Sequence, residues 1–100
     1  MTKSQMEKLE YIAEHYSFER QREILVEECA ELIQAAQKCK RYPTNAQWSV
    51  NFMEEIADVL ICAEQMQLYL KPANGEISKW IDFKLNRELK RIVEEKKNDE

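Results

Sequence analysis

The sequence predicts an all-α protein of four helices, and three observations carry that prediction. Glycine occurs once and proline twice in 100 residues, so the chain has few places to turn. Charged residues make up 34% of it, which suits long helices with solvated faces. Apolar residues recur with the 3.6-residue period of a helix in three long segments, and no stretch sustains the alternation of a strand.

Each element has its own signals. Ser4, with Glu7 three residues on, resembles a capping box and opens a first helix that ends near His15. Ser17 caps a second helix, from Phe18 to about Arg41. The segment Tyr42-Pro43-Thr44-Asn45 breaks it, because Pro43 cannot continue the hydrogen-bond ladder. A third helix runs from about Ala46 to Leu70. Residues 71–75, "KPANG", read as a turn, and a fourth helix runs from about Glu76 to Glu95. Residues 96–100 read as a frayed tail.

Length and composition bound the function. One hundred residues make a single domain, 1–100. A helical chain this short buries little surface alone, so it is expected to complete its bundle by homo-oligomerisation, as at least a dimer. The net charge of -4 argues against a nucleic-acid partner held by phosphate contacts. The longest apolar run, Val59–Ala63, is far too short to span a membrane, and the polar N-terminus shows no secretory signal. Cys29, Cys39 and Cys62 form no CxxC pair and cannot all pair within one chain. They are expected to be small core residues in a reducing, cytoplasmic setting.

The chain writes one acidic phrase twice: "EECAEL" at residues 27–32 and "EEIADV" at residues 54–59. On helix 2, with Glu28 set at zero, Ile24, Leu25, Cys29, Leu32, Ala35, Ala36 and Cys39 fall on an arc from about −40° to about +100°. Glu28 lies inside this apolar arc, with Glu31 at its edge near about −60° and Glu27 near about −100°. On helix 3, with Glu55 at zero, Phe52, Ile56, Val59, Cys62, Ala63, Met66, Tyr69 and Leu70 cover the same arc. Asp58 falls at about −60° and Glu54 at about −100°.

An unpaired carboxylate on a core-facing stripe is costly unless it protonates or finds a partner. Matching pairs on two helices joined by a short loop should face each other, and four carboxylates that meet repel unless a cation sits between them. All-oxygen donors are hard and suit Mg²⁺, with Mn²⁺ as a substitute. The competing reading is that such acidic pairs simply decorate solvated helix faces. A di-iron bundle would add Glu-x-x-His pairs, but the only histidine, His15, is remote from both phrases. Gly75 is the only glycine, so no glycine-rich loop cradles phosphate. On helix 4, with Ile77 at zero, Lys84 and Arg91 fall beside the apolar arc at about −20° and −40°, and Arg87 lies near about −80°. This cationic stripe suits an anion, or serves only to cover apolar surface with its stems.

These residues resemble the MazG-like family of all-α nucleoside triphosphate pyrophosphohydrolases. The signature is E-E-x-x-E, a spacer, then E-x-x-D. Here it is Glu27-Glu28-Cys29-Ala30-Glu31 and Glu55-Ile56-Ala57-Asp58, with 23 residues between. The resemblance extends from "QREILVEECAELIQAAQK" through "EEIADVLICAEQM" to "FKLNRELKRI". It implies a four-helix MazG-like bundle that holds Mg²⁺ with Glu28, Glu31, Glu55 and Asp58. It implies hydrolysis of a (d)NTP to the monophosphate and pyrophosphate by a homodimer or homotetramer, and nucleotide-pool house-cleaning is one role that fits. The segment of Lys84 and Arg87 resembles the basic stretch expected to meet the phosphates, and Arg91 of the same stripe is a further phosphate-binding candidate. Glu27 is placed either to orient the attacking water or as a solvated surface residue. Trp48, Phe52, Tyr69 and Trp80 are candidates to stack on a base, or plain core. Phosphoribosyl-ATP pyrophosphohydrolases and dimeric dUTPases share the helical core and are rivals for the substrate. A nucleotide sensor without turnover and a helical module that binds a basic partner are the readings from other classes.

Overall fold

A computed structural model describes residues 1–71 and 74–99. These residues form four α-helices and no strand, as the periodicity predicts. They fall into two units, Met1–Tyr69 and Leu70–Glu100. The first carries α1 (Lys3–His15), α2 (Phe18–Arg41) and α3 (Ala46–Tyr69), and the second carries α4 (Asn74–Asn98).

The start of α1 corrects the expectation from Ser4 and Glu7. Thr2 is the N-cap: its hydroxyl accepts from the Gln5 amide at 3.1 Å, and the Gln5 side chain accepts from the Thr2 amide at 2.7 Å. The capping box thus lies two residues upstream, where it serves the first orphan amides of the helix. Ser17 caps α2 as expected, with its hydroxyl accepting from the Arg20 amide at 3.2 Å. After the break at Pro43, the Asn45 side chain accepts from the Gln47 amide at 3.0 Å and opens α3. The Cys39 thiol, donating to the Trp48 carbonyl at 3.1 Å, ties the end of α2 to that start.

Helix α3 packs mainly on α2 and also carries α1. The α2 arc behaves as its periodicity demands. Ala35 is buried, and Ile24, Leu25, Cys29, Leu32, Ala36 and Cys39 are half-buried. On α3, Cys62 is buried, while Phe52, Val59, Ala63 and Met66 are half-buried. Ile56 is exposed, contrary to its expected place in the core. It belongs to a second apolar strip with Val50, Met53, Leu60 and Ile61, all exposed, so α3 is apolar on more than the side that meets α2.

Two polar side chains of α3 fasten α1. Gln65 donates from Nε2 to the Leu9 carbonyl at 3.1 Å, and the Tyr69 hydroxyl lies 2.6 Å from the Ala13 carbonyl and 3.0 Å from that of Tyr16. Leu9 and Ala13 are buried beneath this seam. All three cysteines are free thiols, Cys62 buried and Cys29 and Cys39 half-buried, consistent with small packing residues.

Helix α4 starts two residues before the expected Glu76 and continues to Asn98. Pro72 and Ala73 of the expected turn, and Glu100, lie outside the described residues. The rest of the expected frayed tail is mostly helical. Glu94 to Lys97 are good helix formers, and Lys96 and Lys97 face the negative end of the helix dipole. Among the described residues no helix is long and apolar enough to cross a membrane.

Candidate metal centre

The site is built by the packing of α2 on α3. Glu28 and Glu31 stand one turn apart on α2, and Glu55 stands on α3. One carboxylate oxygen from each lies within 4.8 Å of the others. The facing arrangement inferred from the repeated phrase is therefore present for these three. Glu28 and Glu55 are half-buried and Glu31 is exposed, so the trio has an open side. Asp58 is half-buried beside it, close enough for its charge to act on both Glu28 and Glu55.

The electrostatics follow from this crowding. Burial raises the Glu28 carboxyl above its ordinary range, and the charges of Glu31, Asp58 and Glu55 raise it further. Burial likewise raises Glu55, followed by the charges of Glu31 and Asp58. Glu31 raises both, so it is the hub of the trio. One oxygen each of Glu28 and Glu55, Oε2 in both, is buried and has no hydrogen-bond partner. Such acceptors are expensive to leave unmade, and they are the atoms a proton or a cation would satisfy.

No family model, no curated protein and no solved structure matches this chain.

Glu27 is exposed on α2, one position before Glu28, and Glu54 is exposed on α3. Lys84, Arg87 and Arg91 are exposed on α4. There Arg91 pairs with Glu88 at 3.3 Å, and the Arg87 guanidinium lies 5.7 Å from the Phe83 ring centre. Trp48 stacks on Tyr42 with ring centres 6.3 Å apart and carries the Lys38 ammonium at 4.8 Å. Tyr69 is committed to the α1 carbonyls, so its hydroxyl has a structural task. Burial also pushes the Cys62 thiol up, with Glu28, Asp58 and Cys29 adding to it, which makes this thiol a poor nucleophile.

Two buried polar residues leave unequal traces in the sequence. Gln21 on α2 and Gln65 on α3 are both buried, and each has an unpartnered Oε1. Gln21 left a signal, since it falls at about +20° within the apolar arc around Glu28. Gln65 left none: it lies at about −80° from Glu55, on a flank that is buried only because α1 packs there.

Proposed function

We propose that this chain is a Mg²⁺-dependent nucleoside triphosphate pyrophosphohydrolase, which converts a (d)NTP to the monophosphate and pyrophosphate as an assembly of at least two copies. The observation that supports it most is the convergence of Glu28, Glu31 and Glu55 from two helices, with Glu28 and Glu55 each keeping a buried oxygen without a partner. The donor set is all oxygen, carries excess negative charge and opens on one side through Glu31. That combination suits a hard divalent ion better than a solvated acidic face does.

In this reading Glu28, Glu31, Glu55 and Asp58 hold the ion. When bound, such an ion neutralises triphosphate charge and lowers the pKa of a bound water. Glu27, exposed beside the trio on α2, accepts a hydrogen bond from the attacking water and so orients it. Lys84, Arg87 and Arg91 are the phosphate-binding candidates of α4, matched to that role by the resemblance of their segment. The choice of the α–β anhydride bond also rests on the resemblance, since the acids alone do not select a phosphorus.

The test is a screen for pyrophosphate release from normal and modified (d)NTPs with Mg²⁺ and with EDTA. Release of pyrophosphate that EDTA abolishes is expected. Orthophosphate as the first product would sink the assignment, and labelled water then identifies the phosphorus attacked.

A further inference from the structure

The second apolar strip of α3 has a regular spacing. Val50, Met53, Ala57 and Leu60 are all exposed, and they follow one another by three, four and three residues, the spacing of a coiled-coil seam. With Glu55 at zero, they fall between about 140° and about 220° around the helix. The seam therefore lies opposite Glu55, on the side of α3 that faces away from the carboxylates.

The two halves of this seam differ in shape. Helix α1 runs alongside α3 at a constant offset of 56 residues, with Leu9 level with Gln65 and Ala13 level with Tyr69. By that offset Met1 stands beside Ala57. Accordingly, Met1, Leu9 and Ile12 on one side and Ala57, Leu60 and Ile61 on the other line a groove of about 460 Å³. Val50 and Met53 come earlier on α3, where α1, which begins at Lys3, is not level with them. They stand proud of the surface, and Met53 is the most exposed residue of the strip at 60%. One half of the seam is thus concave and the other convex.

We propose that two copies of this chain join through this seam in antiparallel register, each placing its Met53 in the α1–α3 groove of the other. A two-fold axis needs a patch that complements itself, and a knob beside a groove on one helix meets that need. In this register Val50 faces Leu60 of the second copy and Met53 faces its Ala57, so large residues meet small ones. A parallel pairing would instead set Met53 against Met53 and Ala57 against Ala57. Exposed Ile56 lies near the axis and meets its own counterpart. Exposed Glu54, on the opposite flank, stays at the rim, where screening leaves its repulsion small. Strip and groove together bury on the order of 1,000 Å² over the two copies, the least that a specific interface requires. The proposal rests on the reading of an assembly of at least two copies, to which it gives a surface and a register, and not on the hydrolase chemistry. The carboxylates, on the far side of α3, stay open to substrate.

Two measurements on the full chain read the assembly and its register separately. Sedimentation velocity at micromolar concentration is expected to show self-association, and Met53→Glu should raise the dissociation constant at least about a hundredfold, because it drives a charge into an apolar groove. Circular dichroism checks the fold of that variant, whose exposed position favours it. Val26→Glu, at a comparably exposed apolar residue of α2, should leave the association unchanged. The register is read on the unsubstituted protein, from a mixture of isotope-labelled and unlabelled chains. Nuclear Overhauser effects between chains are expected from the Met53 methyl to the Ala57 methyl, and from Val50 to Leu60. Contacts from Met53 to Met53 without Ala57 overturn the proposal, as does an association that Met53→Glu leaves intact. Cover of the strip by another segment of the chain or by a different protein leaves a monomer, which overturns it too. Pyrophosphate release by such a monomer removes the interface and keeps the chemistry. The Met53–Ala57 contact in a protein that turns over no dNTP supports the interface and removes the hydrolase.

Discussion

Glu28 and Glu55 carry the sharpest test of the site. Replacing either with Gln keeps the shape and removes one charge from a crowded trio. Turnover is expected to fall on the order of a hundredfold or more, because the ion loses a ligand and its charge. The metal-free variants should nevertheless melt at the same temperature as the parent or a few degrees higher, since like charges are relieved. Adding Mg²⁺ should raise the parent's Tm by mass action and raise that of the variants less. Glu54→Gln, on the exposed flank, is the control and should change both readouts little. Melting curves of the parent and the three variants, in EDTA and in Mg²⁺, check all of this.

The same two residues set a pH dependence with a definite sign. Each has a folded-state pKa raised above the ordinary value of 4.5, so the native state holds protons that the unfolded chain has released. Stability in EDTA should therefore fall as pH rises from the ordinary carboxylate range through the raised folded-state values. Glu28→Gln should flatten that fall, and Mg²⁺ should oppose it. Thermal melts of parent and variant between pH 4.5 and pH 7.5 read the difference, and parallel curves would contradict the crowding.

Among the elements, α1 depends most on individual polar contacts. Its C-terminal carbonyls are met by the Tyr69 hydroxyl from α3, which closes the helix end where backbone acceptors lack partners. Tyr69→Phe keeps the ring against Phe18 and deletes only the hydroxyl. It is expected to cost about 1 kcal/mol and to lower Tm accordingly, measured by denaturant and thermal unfolding. Hydrogen exchange should quicken first in α1, because that seam holds it to the rest of the unit. Thr2→Ala, at the other end, should weaken the same helix by about 1 kcal/mol through loss of the cap.

At the scale of the whole molecule, the second apolar strip of α3 calls for a cover. Met53 and Leu60 are 60% and 55% exposed, too much apolar surface on one helix to be incidental. Near it, Leu9 and Ile12 of α1 join Leu60 and Ile61 in lining a groove of about 460 Å³. A second copy of the chain is the expected cover. Light scattering at micromolar concentration should report a dimer or larger, and Leu60→Lys should shift it towards monomer. A parent that stays monomeric throughout would refute this.

Much of this was legible before any coordinates. Sparse Gly and Pro and a sustained 3.6-residue period dictate helices whatever they pack on, and the breaks at Ser17 and Pro43 follow from local backbone chemistry. The repeated acidic phrase marked Glu28 and Glu55 as residues on core-facing stripes, because periodicity alone places them there. Other features depended on the fold. Sequence does not separate Thr2 from Ser4 as the cap, because both offer a hydroxyl, and only backbone geometry chooses between them. Ile56 was expected inside, but one helix of this unit meets only one side of α3 closely, and periodicity cannot say which side of an all-round apolar helix that is. Gln65 shows the limit most clearly. Nothing in its neighbours along the chain separates it from a surface glutamine. It is buried because α1, 56 residues away, offers it the Leu9 carbonyl, and a contact between distant segments leaves no periodic trace in either one.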